Sequence, residues 1–91
     1  MDEKRFKVEF TAKAVKQLYK LDKQTFKIIT NWISKNLEGC ENPRIHGKGL
    51  SANLSGRWRY RVGDYRLIAK IADEKVIIYI LQVGHRREIY E

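Results

Sequence analysis

The chain has 91 residues, a formal net charge of +8 and a single cysteine, Cys40. This is enough for one small two-layer domain, spanning 1–91, and it excludes an intrachain disulfide framework and a bilayer-spanning apolar run. No signal-peptide core follows Met-Asp-Glu-Lys-Arg, so a soluble protein of the reducing cytoplasm is expected, with no membrane partner and with a polyanion as the natural counterpart of its charge.

In chain order, Phe6-Lys7-Val8-Glu9-Phe10 alternates apolar with charged residues, the pattern of a half-buried first strand. Thr11 is placed to cap a helix whose apolar positions are Val15, Leu18 and Leu21. Asp22 is placed to cap a second, in which Phe26, Ile29, Ile33 and Leu37 recur at helical spacing until Gly39 ends it. The short connection predicts an antiparallel helix hairpin. Residues 39–55 read as a loop holding the only proline, Pro43.

The remainder reads as an antiparallel three-stranded meander over 56–62, 65–72 and 75–83, with Asp73-Glu74 at the second turn. The run Val76-Ile77-Ile78-Tyr79-Ile80-Leu81 is apolar on both faces and belongs inside a sheet. The fold class is therefore α+β: an N-terminal strand, a helix hairpin and a meander, with the helices packed on one face of the sheet. Trp58, Tyr60, Leu67, Ala69, Ile71, Ile78 and Ile80 share the face toward the helices, and Trp58 and Trp32 read as packing residues.

The other face is unusual. Residues 57–66 read Arg-Trp-Arg-Tyr-Arg-Val-Gly-Asp-Tyr-Arg, so strict alternation gathers Arg57, Arg59 and Arg61 on one side. With Gly63-Asp64 as a type II′ turn, Val62 pairs with Tyr65, Arg61 with Arg66 and Arg57 with Lys70. Like charges directly opposed across strands are destabilising. A sequence that keeps them points to a polyanion site with an apolar floor of Ile68, Ile77, Tyr79 and Leu81, the alternative being an ordinary solvated sheet face. Seven of the eight arginines follow Pro43 while eight of the eleven lysines precede it. Arginine's rigid fork suits phosphate, so the second half carries the function.

Two flanking segments complete the picture. The loop Arg44-Ile45-His46-Gly47-Lys48-Gly49 either closes one rim of the basic face or is ordinary surface. The tail Gly84-His85-Arg86-Arg87-Glu88-Ile89-Tyr90-Glu91 leaves the last strand at a glycine, which lets His85, Arg86 and Tyr90 fold toward that face.

The element order, with Leu54-Ser55-Gly56-Arg57-Trp58-Arg59-Tyr60-Arg61, Gly63-Asp64-Tyr65-Arg66 and Val83-Gly84-His85-Arg86-Arg87-Glu88-Ile89-Tyr90, resembles the RelE/ParE superfamily of bacterial type II toxins over nearly the whole chain. The resemblance implies a RelE-like fold and a toxin neutralised by a cognate antitoxin. RelE-like members cleave mRNA in the ribosomal A site, whereas ParE-like members inhibit DNA gyrase without cutting RNA. The RelE-like branch is the leading expectation: a ribosome-dependent mRNA interferase that inhibits translation. The ParE-like gyrase inhibitor is the alternative, and a degenerate toxin surviving as a binding module is a third.

For RNA cleavage a base, an acid and donors to the phosphate are needed, and no metal or cofactor is demanded. By resemblance, Arg66 matches the arginine that binds the scissile phosphate and Arg86 a second catalytic arginine. Tyr90 matches a terminal aromatic that stacks on a base or orients the nucleophile. Arg57 and Arg59 stand where the best-known RelE enzymes have lysines, a departure that removes the presumed base, since arginine stays protonated. In the YoeB branch an acidic residue occupies the preceding loop, near Lys48. The base is left open among Lys48, His85 and Glu88, with His85 equally readable as structural. The expected catalytic set is Arg59, Arg66, Arg86, Tyr90, His85 and Lys48, with Arg57, Arg61, Lys70 and Arg87 binding RNA. The implied partners are the ribosome and mRNA, an antitoxin of the RelB or DinJ type with an acidic segment, and operator DNA only through the antitoxin complex. Two histidines and one cysteine without ligand spacing argue against zinc, and there is no P-loop, dinucleotide fingerprint or nucleophile elbow.

Overall fold

Among the described residues the elements are β1 (Lys7–Phe10), α1 (Ala12–Tyr19), α2 (Lys23–Asn36), β2 (Lys48–Gly49), β3 (Trp58–Val62), β4 (Tyr65–Ala72) and β5 (Ile77–His85). The structure is a computed structural model that describes residues 4–51 and 56–89. Its five strands form one mixed sheet in the order β1-β5-β4-β3-β2. β1 runs parallel to β5, with Lys7 opposite Ile77 and Phe10 opposite Ile80. β5 is thus flanked on both sides, as its two-faced apolar sequence requires. Among the described residues no helix is long and apolar enough to cross a membrane.

Both helices start where their caps dictate. Thr11 Oγ1 accepts from Ala14 N at 3.2 Å and donates to Leu81 O at 3.1 Å, so one side chain caps α1 and ties it to β5. Asp22 Oδ2 accepts from Thr25 N at 3.1 Å and Oδ1 from Thr25 Oγ1 at 2.6 Å, bonds that hold the carboxyl below its ordinary range. α1 buries Ala14 and Leu18, and α2 buries Ile29 and Ile33. Val15 is 37% exposed, because the inward stripe runs through Ala14 instead. These residues form one core with Tyr60, Val62, Leu67, Ala69, Ile78, Ile80 and Val83, all from a single face of the sheet.

The meander departs from the sequence reading in three places. β2 falls in the segment expected to be loop, pairing Lys48 with Arg59 and Gly49 with Trp58; two residues are too few to leave a periodic signal. The second turn takes four residues, 73–76, because Ala72 pairs with Ile77, and β5 starts later than expected. The resulting two-residue shift preserves every side-chain face. Finally, Ile68 pairs with Gln82 while Ala69 pairs with Ile80, so Leu81 is an extra residue in a β-bulge rather than part of the apolar floor.

The bulge has a packing cause. In the register held by Ala69 and Ile80, Leu67 would face Gln82 and the core would receive an amide; the bulge puts Val83 there, at 2% exposure. The Gln82 side chain goes to the opposite face, and Gln17 Oε1 takes the Val83 N–H at 2.7 Å. Tyr60, fully buried, donates its hydroxyl to Pro43 O at 2.7 Å and so anchors the loop after α2 to the core. Tyr60→Phe leaves that buried carbonyl short of a donor. The expected cost is about 1–3 kcal/mol in urea denaturation with an unchanged m-value.

Candidate nucleic-acid interface

The polar face of the sheet is built by β3 and β4. Gly63 adopts φ 59° while Asp64 does not take a positive φ, which is the type II′ pattern expected of a glycine-first turn. The turn sets Val62 opposite Tyr65 and Arg61 opposite Arg66. Arg59 lies opposite Ile68 on the same side. Arg59 is only 6% exposed and Ile68 2%. Burial, then the nearby charges of Arg66 and Arg61, pushes the Arg59 guanidinium below its ordinary pKa. Arginine remains cationic even so, and the field favours an anion at this face.

The β5 bulge decides which tail residue joins these arginines. It sets Gly84 opposite Arg66 and His85 opposite Tyr65. Paired residues share a face, so His85 sits on the helix side, its ring edge-on to Tyr65 at 5.4 Å. Arg86, one residue on, is docked by its N–H to Asp64 O at 2.8 Å. Arg61, Gly63, Arg66 and Arg86 together line a cavity of about 190 Å³. Without the bulge, alternation would exchange the faces of His85 and Arg86.

A second, wider groove of about 500 Å³ adjoins it and shares Arg61; Trp32, Ile45, His46, Gly47, Lys48 and Arg59 complete its lining. β2 brings Lys48 there by pairing it with Arg59. The loop is pressed onto β3 at Gly47: with φ +76°, a Cβ at this position would collide with the Arg59 carbonyl oxygen and approach Trp58 Nε1 to 2.9 Å. Trp58 Nε1 donates to His46 O at 2.7 Å. Arg44, in the same loop, is turned elsewhere by a two-pronged bond to Asp73 at 2.9 and 2.8 Å.

Of the residues expected at the site, the fold brings together Arg59, Arg61, Arg66, Arg86 and Lys48. Arg57 precedes β3, whose ladder to β4 ends at Trp58 and Ala69, so the expected Arg57 and Lys70 pair does not form. Lys70 is opposite Tyr79, further along the sheet from Arg66, and neither Arg57 nor Lys70 lines these cavities. Arg87 is exposed, its N–H donating to His85 Nδ1 at 3.2 Å. Glu88 Oε1 accepts from His85 N at 3.1 Å, so both His85 and Glu88 are engaged in folding the tail. Tyr90 lies outside the described residues, as do Leu54 and Ser55. The residue missed by the sequence reading is His46. It was visible inside the rim loop, but only the pairing of Lys48 with Arg59 reveals that its neighbourhood faces the arginines.

Comparison with known proteins places this geometry in a family. Residues 8–90 match the model of the ParE toxin of the type II toxin-antitoxin system parDE. The chain is 34% identical over 85 residues to Toxin RelG of Mycobacterium tuberculosis, covering 93% of this chain and 95% of that one. The structure of the toxin-antitoxin complex RelBE2 from Mycobacterium tuberculosis aligns with a TM-score of 0.83 at 32% identity, covering 93% and 95% of the two chains. The intact RelBE toxin-antitoxin complex of Escherichia coli, at 24% identity and a TM-score of 0.71 over 88% of this chain and 95% of that one, shares the fold. With its expected motifs, its sheet order and these matches in agreement, the chain belongs to the RelE/ParE superfamily of type II toxins.

Proposed function

We propose that this toxin is an endoribonuclease that cuts mRNA in the ribosomal A site and is neutralised by a cognate antitoxin. The observation that carries the reading is the convergence of Arg61, Arg66 and Arg86 on one cavity beside the buried Arg59. In the reaction, the RNA 2′-hydroxyl oxygen attacks the adjacent phosphorus and the bond to the 5′-oxygen breaks. A base takes the hydroxyl proton and an acid returns one to the leaving oxygen, giving a 2′,3′-cyclic phosphate and a 5′-hydroxyl end. Arg66 and Arg86 hold the phosphate and offset its growing charge, with Arg59 and Arg61 sustaining the positive field. Lys48 and His46 are the proton-transfer candidates on this face; His85, on the other face, positions the tail. So arginine-dominated a site depends on the ribosome to orient the RNA.

The partner antitoxin is read from the family and from charge: an acidic segment laid over the arginine face would neutralise it. Operator DNA would then be bound through the antitoxin complex. The matching family model is named for ParE, which favours gyrase inhibition as the second reading. That activity needs no convergent phosphate donors, which is why the nuclease is preferred.

Two outcomes are expected. Binding of a short single-stranded RNA to the isolated protein should weaken linearly with log salt, and Arg61→Ala, Arg66→Ala and Arg86→Ala should each reduce the slope by about 0.7. Lys27→Ala, on an exposed helix surface, should leave it unchanged. In cell-free translation, primer extension should find codon-phased new 5′ ends that need translating ribosomes and disappear with Arg66→Ala. Intact mRNA together with inhibited gyrase supercoiling would establish the second reading instead.

A further inference from the structure

The groove beside the arginine cavity has a composition that phosphate binding does not explain. Its walls hold the imidazole of His46, the indole of Trp32 and the aliphatic side chain of Ile45, which is 71% exposed. Ile45 gives the groove an apolar edge next to three cations. The His46 ring is held rather than loose: it packs edge-on to Trp32 at 5.6 Å, its carbonyl oxygen takes the Trp58 indole N–H, and Gly47 pins the next residue to β3. The two cavities also differ in scale. One of about 190 Å³ lies below the usual range of small-molecule sites, about 300–1,000 Å³, whereas one of about 500 Å³ falls within it.

We propose that this groove is a nucleobase subsite: it holds the base of a nucleotide whose phosphate lies in the arginine cavity, with Arg61 bridging the two. His46 and Ile45 supply the flat and apolar contacts, and Lys48 and Arg59 face the ribose-phosphate chain. Stacking of a base on a ring is tolerant of sequence and adds affinity that charge alone does not. The inference deepens the nuclease reading, since it names where the substrate's base is held, yet it can be tested without catalysis.

The test is a titration of the isolated protein with adenosine 5′-monophosphate, ribose 5-phosphate and inorganic phosphate, followed by NMR. The chain has two tryptophans. Both indoles touch His46, one through its ring and one through its carbonyl oxygen, so their N–H resonances report on the subsite. Adenosine 5′-monophosphate should bind about tenfold more tightly than ribose 5-phosphate and shift both indole signals. His46→Ala should bring the affinity for the nucleotide down to that for ribose 5-phosphate. His46→Phe should keep the nucleotide preference, which separates stacking from proton transfer, and Ile45→Ser should reduce it.

Equal affinity for the nucleotide and ribose 5-phosphate, or an unaltered preference in His46→Ala, would overturn the subsite. The nuclease reading fails separately: base preference in a protein that leaves translated mRNA intact would retain the subsite, while codon-phased cleavage without base preference would reject it alone.

Discussion

Arg61 stands directly opposite Arg66 because the turn between them allows no other register. The same pairing that packs Tyr60 over Leu67 and Trp58 over Ala69 on the core side forces the two guanidinium groups to share the other side. A one-residue slip would drive the arginines into the core and the aromatics into water, so the repulsion cannot be relieved by sliding the strands. Such a like-charge pair is destabilising on the scale of cross-strand contacts, about 0.2–1 kcal/mol, and the burial of Arg59 beside it adds to the positive field. The hairpin thus couples core packing to a concentration of positive charge on the opposite face.

Everything else at the site is arranged around that face. The β5 bulge moves Val83 into the core and, by reversing the alternation beyond it, presents Arg86 to Arg66 while sending His85 to Tyr65. Gly47 lets the rim loop lie against β3, so that Lys48 and His46 border the same groove. Two backbone irregularities therefore complete what the hairpin begins. Neither is a catalytic group, yet each determines which side chains meet.

The parts of this arrangement that were legible in the sequence are those governed by local rules. Thr11 and Asp22 marked both helix starts, and Gly63-Asp64 with its flanking alternation set the hairpin register and three of the arginines, Arg59, Arg61 and Arg66. The bulge was not legible, because Leu81-Gln82-Val83-Gly84 carries no turn residue until its end and its cause is the tertiary requirement for Val83 opposite Leu67. The same reason concealed the face of His85. β2 was missed because two residues express no period, and with it the place of His46. Lys48 entered the site through family resemblance, and the pairing with Arg59 supplies the physical reason for its position. Arg57 and Lys70 were grouped with the site by extending the ladder one residue beyond its end.

Family membership establishes a type II toxin, and the arginine face is the feature on which the proposed engagement of RNA rests. If the opposed arginines are kept for an anion, they are kept at a cost in stability. The most direct test is the melting temperature of isolated Arg61→Thr at low salt, measured beside ribosome-dependent cleavage. Relief of the cross-strand repulsion should raise the melting temperature by about 1–6 °C, by less at high salt, while cleavage falls sharply. A variant that melts lower than the parent and still cleaves at the parental rate would contradict the claim.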